Sequence, residues 1–511
     1  MIKNKVIKIT TVCLIGLLIV GGGFGINKLY HKSSIVSLDN SYASYGLSEP
    51  QRYITKHMAT INGQKVNYTA TAGETYIYNL KGEPTASIFS YSYIKDKGDN
   101  RPIIFAFNGG PGSSSLWLQM GIGPYKTELN SAVNPDIKPP YKYTENTNSI
   151  LDTADIVFID PVGTGYSKAV GVGKNEDFYG AYADADSMAQ FIEQWVAKNN
   201  RWNSSKYILG ESYGCKRAAL LPNALMGGPT TSSGRFTGIN IDGVIMAGST
   251  LDDDFTDKVM MKAMALPSMA NTAWYHKKSG NSNQSIEEFN EEVMNFAENE
   301  YYKALIKEGN GTLTDKEKQE TIEKLIKYTG LPEKYFEKTL EIRSSSFSNE
   351  LLKEENKDVG IYDGRCTLPN VGKGYEPVAD DPSMGQYSPA FIATFHDYQK
   401  NVLNVDIDKP YNNIVWGDLN FKWDNSKKGL IPSKGYAYDL AAAMRRNQNM
   451  KLFVASGYYD LATPAGIVKN IINNAPIDKE RVTFNEYESG HMVCLGESAD
   501  KFINDLRELI K

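Results

Sequence analysis

One serine of this chain lies in a Gly-x-Ser-x-Gly motif, Gly210-Glu-Ser212-Tyr-Gly214, between a short apolar run and a segment of helical composition. A strand, this motif and a helix in that order form the sharp turn that lifts a serine hydroxyl clear of a sheet. We expect Ser212 to have a strained backbone, and Gly210 and Gly214 to be required because a Cβ there would collide with neighbouring backbone. The helix N-terminus behind Ser212 favours developing negative charge. We therefore predict Ser212 as a nucleophile.

A serine nucleophile needs a base, and histidine is the usual one. The chain has five histidines: His31, His57, His276, His396 and His491. His491 follows a glycine in a loop just after a predicted strand near the C-terminus. It therefore occupies the place of the base when the catalytic residues follow the order serine, acid, histidine. His396 falls in a Phe-His-Asp sequence predicted as helical, and we interpret it as structural.

The acid that orients the histidine is predicted at Asp460. This residue follows an apolar run in a loop marked by Gly457 and Pro464, where a carboxylate could reach an imidazole and stabilise its cation. Taken alone, Asp460 could equally be a turn-capping aspartate. The order Ser212, Asp460, His491 favours the catalytic interpretation.

Backbone N–H groups must stabilise the oxyanion of an acyl-transfer intermediate. The residue after the nucleophile, Tyr213, supplies one predicted donor. Gly110 supplies the other, from the glycine-rich loop Asn108-Gly109-Gly110 that follows an earlier apolar run. Without side chains, these glycines let the peptide backbone approach a substrate closely. They could also simply form a tight turn, and the two interpretations are compatible.

The elements that position these residues alternate between apolar runs and helical patterns. Near-continuous apolar runs at 102–107, 155–160 and 243–248 are typical of strands buried on both faces, and 181–198 has helical periodicity. Asn62-Gly63 predicts a hairpin turn in a β-rich N-terminal section. We therefore predict an α/β fold of the α/β-hydrolase type, with a mainly parallel central sheet flanked by helices.

Four regions follow from changes in composition along the chain. Residues 1–35 form a predicted signal or membrane-anchor segment with its tether, 50–251 the first half of the core, 252–385 an inserted, mostly helical cap, and 386–511 the second half of the core. Charged and methionine-rich helical segments replace the strand pattern in the predicted cap. The helical segments include 286–305 and 315–328, and the Lys/Glu run at 315–327 is typical of a solvated helix face.

Composition, net charge, the N-terminal segment and cysteine spacing exclude some classes of function. The 511 residues are 41% hydrophobic and 23% charged, as in ordinary globular proteins, and a net charge of −5 argues against a nucleic-acid binder.

Three lysines precede an apolar run at 9–26, which predicts export, with an uncleaved anchor favoured over a cleaved signal. The cysteines Cys13, Cys215, Cys366 and Cys494 have no metal-site spacing, and a Cys366–Cys494 disulfide is left open. No metal or cofactor is implied.

Five sequence blocks together resemble the serine carboxypeptidase family of the α/β-hydrolase fold, and its more divergent bacterial branch most closely. They are Asn108-Gly-Gly-Pro-Gly-Ser-Ser, Asp160-Pro-Val-Gly-Thr-Gly-Tyr-Ser, Gly210-Glu-Ser-Tyr-Gly, Ser456-Gly-Tyr-Tyr-Asp and Ser489-Gly-His-Met-Val. The resemblance implies hydrolysis of C-terminal peptide bonds, favoured at acidic pH. It also implies that Asn108, Gly109 and Glu211 bind substrate, with Asn108 and Glu211 at its terminal carboxylate. The carboxyl group of Glu211 can bind the carboxylate of the substrate only if one of the two keeps a proton. A raised pKa or a low pH would allow this.

Two positions depart from that family pattern. Ala106 replaces a usual tryptophan, and the glutamate usual before Leu-Gly-Pro is absent in Gln119-Met-Gly-Ile-Gly-Pro124. Part of the carboxylate-binding network is therefore missing, which leaves an esterase or acyltransferase as one alternative. A second alternative is an exported binding protein with a relic triad. Glu211 could also simply pair with Lys216 or Arg217, and Cys215 is expected to pack behind the site.

Overall fold

The computed structural model describes residues 42–511, except Asp99, Thr230, Ser232, Asp254, 281–283, 372–375 and 427–432. The predicted leader 1–35, with its apolar run at 9–26, lies outside the described residues, as do Cys13 and His31. No described helix is long and apolar enough to cross a membrane.

The strands in chain order form one large sheet and two short two-stranded ribbons. They are β1 (Arg52–Ile61), β2 (Gln64–Tyr78), β3 (Pro84–Lys95), β4 (Ile103–Phe107), β5 (Tyr125–Thr127), β6 (Tyr143–Glu145), β7 (Asp155–Ile159), β8 (Lys168–Ala169), β9 (Lys206–Glu211), β10 (Gly243–Ala247), β11 (Lys357–Val359), β12 (Thr367–Pro369), β13 (Lys451–Gly457) and β14 (Val482–Tyr487). The ribbons pair β5 with β6 and β11 with β12.

From β4 onward, at least one helix lies between each strand of the large sheet and the next, except between β7 and β8. The helices are α1 (Leu116–Ile122), α2 (Ala181–Lys198), α3 (Gly214–Met226), α4 (Lys258–Met264), α5 (Leu266–Tyr275), α6 (Ile286–Phe296), α7 (Tyr302–Gly309), α8 (Asp315–Thr329), α9 (Ser344–Glu350), α10 (Met384–Asn401), α11 (Gly417–Phe421), α12 (Tyr436–Arg446), α13 (Ala465–Asn474) and α14 (Gly496–Ile510). Short 3-10 helices lie at Ala43–Tyr45, Ile150–Asp152, Asn175–Phe178, Glu333–Phe336, Lys353–Glu355 and Lys479–Arg481.

The large sheet has the strand order β1-β2-β3-β7-β4-β9-β10-β13-β14, with β8 paired to β3. Strands from β7 to β14 run parallel, whereas β1, β2 and β3 are antiparallel. Asn62 and Gly63, with φ of 47° and 72°, form the predicted hairpin turn between β1 and β2. The prediction of a mainly parallel sheet is confirmed.

Helices cover both faces of the sheet, so its central strands are buried throughout. Alternate residues of β4 belong to two separate hydrophobic clusters: Ile104 and Ala106 pack with α1, α10 and α14, while Phe105 and Phe107 pack with α2, α3 and α12. This two-sided burial explains the continuous apolar runs in the sequence, because neither face of a central strand meets water.

The helices α4 to α9 follow β10 and have a hydrophobic cluster of their own, which extends from Ala263 to Val359 and includes Leu461 from the core. A π-helical segment, Ala297–Tyr301, interrupts the predicted helix 286–305 between α6 and α7. Helix α10 begins at Met384 and packs against the sheet. A boundary of the inserted region near residue 385 stays a prediction.

Candidate active site

The carboxyl ends of parallel strands bring the predicted site residues to one edge of the sheet. The glycine-rich loop at 108–110 follows β4, and Ser212 follows β9, the neighbour of β4. Asp460 follows β13, and His491 follows β14, the next strand along. In open parallel sheets this edge is where ligand sites form.

Ser212 lies in the tight turn between β9 and α3, with φ of 60° in the left-handed region. A Cβ at Gly210 would lie 2.2 Å from the Gly214 carbonyl oxygen, and one at Gly214 would lie 3.0 Å from the Phe107 carbonyl oxygen. Both glycines are therefore needed for the turn to pack against its own helix and against β4. Ser212 is partly exposed in an otherwise buried segment, so its hydroxyl can meet a substrate.

Asp460 and His491 are in direct contact. The His491 Nδ1 lies 2.8 Å from Asp460 Oδ2, and because an ionised carboxylate only accepts hydrogen bonds, Nδ1 is the donor. Asp460 is fully buried. Its Oδ1 accepts hydrogen bonds from the backbone N–H groups of Ala462 and Thr463 at 2.9 Å each. Asp460 thus caps its own turn with one carboxylate oxygen and contacts His491 with the other, and its catalytic role stays a prediction.

Thr463 is a third member of this contact that the sequence analysis missed. Its hydroxyl donates to Asp460 Oδ2 at 2.5 Å, and its oxygen lies 3.0 Å from His491 Nδ1. Spacing gave a weak signal for it, since both aspartate and threonine side chains form local hydrogen bonds in turns. Its contact with the imidazole depends on β13 and β14 being neighbours in the sheet.

The electrostatics around His491 favour its protonated form. Burial by itself lowers the pKa of the imidazole, but the charge and hydrogen bond of Asp460 outweigh it, and Glu211 and Asp381 add to the effect. The pKa of His491 is therefore raised above its usual value. The Tyr362 ring packs edge-on against the imidazole, with ring centroids 5.3 Å apart. An imidazole held in this way can take up a proton and keep it as a cation.

Two backbone N–H groups are available for an oxyanion. The Gly109 carbonyl oxygen accepts a hydrogen bond from Ser113 N at 3.1 Å, and in a trans peptide the N–H of Gly110 then points the opposite way. Neither this N–H nor that of Tyr213 has a hydrogen-bond partner within the described residues. A Cβ on Gly109 would lie 2.5 Å from Tyr213 N, so the glycine allows the loop to lie directly against the turn that carries Ser212.

The buried side chain of Arg217 binds the glycine-rich loop at 108–110. Its Nη1 donates to the Asn108 carbonyl oxygen at 2.9 Å, and its Nε donates to Asp184 Oδ2 at 2.6 Å. The guanidinium also lies over the Phe107 ring, 4.9 Å from the centroid. Since Lys216 pairs with Asp252, neither basic residue of α3 pairs with Glu211, and the simple ion-pair interpretation of Glu211 was wrong.

Asn108 and Glu211 are brought together, as the family resemblance implies. Asn108 Nδ2 donates to Glu211 Oε1 at 3.0 Å. The other carboxylate oxygen, Oε2, is buried without a hydrogen-bond partner among the described residues. Burial raises the pKa of Glu211 to about 7, although His491 and the Asn108 hydrogen bond act in the opposite direction. Below that pH the carboxyl group is protonated and can donate a hydrogen bond.

The positions that depart from the family pattern contribute nothing to this pair. Ala106 is buried within β4. Gly121 stands directly before Ile122-Gly123-Pro124 and has no side chain, while Gln119, two residues earlier, donates from Nε2 to the Tyr93 hydroxyl at 2.7 Å. Neither position therefore supplies a further hydrogen-bonding side chain to the Asn108–Glu211 pair.

The remaining histidines and cysteines have structural surroundings. His276 bonds the Gly364 carbonyl oxygen at 2.8 Å, and His396 packs against Tyr411. Cys366 and Cys494 are buried free thiols, so the disulfide that the sequence left open is not formed. Burial raises the pKa of the Cys215 thiol to about 12, which fits its expected packing behind the site. Among the described residues no cluster of three or more His, Cys, Asp or Glu side chains could hold a metal ion.

A cavity of about 930 Å³ lies beside the histidine loop, and Gly121, Arg365, Glu488 and Cys494 are among the residues in its walls. None of the predicted site residues lines it. The site is therefore assigned from the contact between His491 and Asp460, from the contact between Asn108 and Glu211, and from the neighbouring strand ends that carry these residues and Ser212; no hydrogen bond joins Ser212 to His491 within the described residues.

The chain is similar to known proteins in sequence and in fold. The family model described as serine carboxypeptidase matches residues 64–365. Serine carboxypeptidase-like 33 of Arabidopsis thaliana is 25% identical over 190 residues, covering 36% of this chain and 37% of that protein. The pheromone-processing carboxypeptidase kex1 of Aspergillus niger is 23% identical over 321 residues, covering 58% of this chain and 44% of that protein. The chain thus spans less than half the length of these curated relatives.

One solved structure shares the fold over most of its length. The prohormone-processing carboxypeptidase Kex1(delta)p of Saccharomyces cerevisiae superposes with a TM-score of 0.52 at 16% identity, covering 86% of this chain and 91% of that chain. At that identity the likeness shows the fold alone. It identifies the sheet and its covering helices as an α/β-hydrolase fold.

Proposed function

The chain belongs to the serine carboxypeptidase family, and we propose that it hydrolyses C-terminal peptide bonds with Ser212, His491 and Asp460 as its catalytic residues. The contact of His491 Nδ1 with the buried carboxylate of Asp460, at 2.8 Å, carries this proposal. It leaves Nε2 as the nitrogen that accepts the Ser212 proton.

The reaction would proceed in two acyl-transfer steps. Ser212 attacks the scissile carbonyl carbon as His491 takes its proton, and the N–H groups of Gly110 and Tyr213 bind the resulting oxyanion. The imidazolium then protonates the leaving amine, and an acyl-enzyme forms on Ser212. Water, deprotonated by His491, attacks the ester, and His491 returns this proton to the Ser212 oxygen as the shortened peptide leaves. Asp460 keeps the imidazole in the required tautomer throughout.

We propose that Glu211 and Asn108 select a free C-terminus. Protonated Glu211 can donate from Oε2 to the terminal carboxylate of the substrate, while Asn108 holds the other oxygen of Glu211. As the pH rises through about 7, Glu211 ionises and its charge repels that carboxylate. Binding of peptides with a free C-terminus should therefore weaken above this pH.

The experiment that tests the proposal compares blocked dipeptides with their C-terminal amides, between pH 4 and 8. Release of a free C-terminal amino acid is expected from the dipeptides, with weaker cleavage of the amides. Ser212→Ala should abolish both reactions. Ser345→Ala, at an exposed position on α9, is the matched control and should leave them unchanged. Equal cleavage of acids and amides would contradict the role of Glu211.

An esterase or acyltransferase is the second candidate, and the missing carboxylate-binding residues favour it. With Ala106 and Gly121 at the two positions that depart from the family pattern, the proposed carboxylate-binding group consists of Asn108 and Glu211. Ser212-dependent cleavage of simple esters, without release of amino acids from dipeptides, would support this candidate. The contacts among Thr463, Asp460 and His491 argue against a binding protein with a relic triad, because a relic has no need for them.

Export to the outside of the cytoplasmic membrane is proposed from the sequence. Lys3, Lys5 and Lys8 before the apolar run at 9–26 are typical of a signal or anchor segment, and we propose that it anchors the chain. Fractionation of cells that express the full chain tests this. Recovery in the membrane fraction supports the anchor, release into the medium supports a cleaved signal, and recovery in the cytosol refutes export.

A further inference from the structure

The segment 361–366 of the inserted region lies between the loop that carries Asp460 and the loop that carries His491. Three backbone hydrogen bonds connect it to them: Leu461 N to Ile361 O at 3.0 Å, Gly364 N to Tyr459 O at 2.9 Å, and His491 N to Tyr362 O at 2.6 Å. The segment therefore binds the two neighbours of Asp460 in the chain, Tyr459 and Leu461, and also His491 itself.

The guanidinium of Arg365 completes this connection. Its Nη1 donates to the Glu488 carbonyl oxygen at 2.7 Å, three residues before His491. Its Nε and Nη2 donate to the two carboxylate oxygens of Asp363 at 3.0 and 2.7 Å. The same group lies over the ring of Tyr459, 5.0 Å from the centroid. One side chain thus contacts both the acid loop and the histidine loop.

Arg365 and Asp363 are nearly removed from solvent, with side-chain exposures of 11% and 6%. Burial by itself lowers the pKa of the guanidinium, but the hydrogen bonds and charge of Asp363 outweigh it and raise that pKa. A buried cation is costly unless its N–H groups are satisfied. The planar fork of arginine reaches Asp363 and Glu488 at once, which the single ammonium of lysine cannot do in the same geometry.

The inserted region fixes the segment from its other side. His276, at the end of α5, bonds the Gly364 carbonyl oxygen at 2.8 Å. Asp381 Oδ2 accepts a hydrogen bond from Ile361 N at 2.5 Å. A Cβ on Gly490 would lie 2.3 Å from the Tyr362 carbonyl oxygen, so the histidine loop packs against the segment without a gap.

We propose that Arg365 is a positioning residue for the reaction, because its guanidinium joins the loops of Asp460 and His491 through the segment 361–366. This inference rests on the catalytic roles proposed above for Asp460 and His491. Arg365 contacts neither of those side chains. Its loss is expected to shift the two loops relative to each other and to slow proton transfer, while substrate binding by Asn108 and Glu211 is unchanged.

The test uses the full chain with Arg365→Met, Arg365→Lys and Arg343→Met. Arg343 also belongs to the inserted region, but its side chain is 74% exposed, so it is the matched control. Steady-state kinetics give kcat and KM for the best substrate. A second experiment measures the rate at which diisopropyl fluorophosphate labels Ser212. This rate needs the activated serine but no recognition of a C-terminal carboxylate. Thermal unfolding of each variant accompanies both.

Arg365→Met should lower kcat and the labelling rate by about 10- to 100-fold, the cost of a displacement of about 1 Å in a catalytic group, with KM within about twofold. A merely structural role would lower Tm without this separation of kcat from KM. Arg365→Lys should lie between Arg365→Met and the wild type, and Arg343→Met should match the wild type.

The outcomes separate this inference from the proposed function. If the wild-type chain is labelled at Ser212 but releases no amino acids, the carboxypeptidase proposal is refuted. The labelling rates of the Arg365 variants then still test the inference. Labelling of Arg365→Met at the wild-type rate overturns the inference. If Arg365→Met does not fold, wild-type labelling of a folded Arg365→Lys overturns it instead. A wild-type chain that is not labelled at Ser212 refutes the catalytic roles and this inference with them.

Discussion

Replacing Gly109 by alanine should separate the two proposed oxyanion donors. The added Cβ would lie 2.5 Å from Tyr213 N, 2.7 Å from Glu211 O and 2.8 Å from Gly214 N, all of them backbone atoms of the turn that carries Ser212. Ordinary contact begins at 3.4 Å. Relief of the closest clash therefore requires the loop to move by about 1 Å, a displacement that can cost about 10²-fold in rate.

The expected loss follows from what the two N–H groups do. If Gly110 moves away from Tyr213, one oxyanion donor is lost, which lowers kcat by about 10²- to 10³-fold. Overpacking of the site should also lower the free energy of unfolding by about 1–3 kcal/mol. Gly309→Ala is the control, because a Cβ at Gly309, the last residue of α7, meets no atom within 4 Å. It should leave kcat unchanged.

The assay measures kcat and KM of Gly109→Ala with a dipeptide and with a simple ester that has no carboxylate. A fall in kcat with both substrates points to the oxyanion donors, whereas a change in KM confined to the dipeptide would point to Glu211 instead. The reasoning is refuted if folded Gly109→Ala keeps kcat within about threefold of the wild type for both substrates.

Three further predictions concern single side chains of the site. Glu211→Gln should extend cleavage of dipeptides to pH values above about 7, since an amide in place of Oε2 donates a hydrogen bond at every pH. A pH profile that still falls near 7 would contradict this. Thr463→Val should lower kcat about tenfold, the cost of one hydrogen bond to the charged Asp460 beside His491, and Thr463→Ser should restore it; equal kcat values in all three proteins would show that the hydroxyl has no such role. A thiol reagent at neutral pH should leave activity intact, because burial raises the pKa of Cys215 to about 12; rapid inactivation that Cys215→Ala abolishes would contradict its packing role.

Local sequence patterns were sufficient for the elements of the core. The turn at Ser212 could be predicted because steric clashes within a few residues require Gly210 and Gly214. Strand β4 and helix α2 were predictable because burial on both faces and on one face leave different apolar periodicities. The interruption of the 286–305 helix was not predicted, since a π-helical segment changes hydrogen bonding without changing the apolar pattern.

The chain order of Ser212, Asp460 and His491, and the strand ends that carry them, could be predicted from the sequence alone. The groups that support these residues became visible only in the folded chain. Thr463 touches the imidazole because β13 and β14 are adjacent, and Arg365 reaches Glu488 across 123 residues of chain. Local motifs follow from sterics between near neighbours. Contacts between distant segments depend on how the whole chain packs. They leave no regular spacing in the sequence from which they could be predicted.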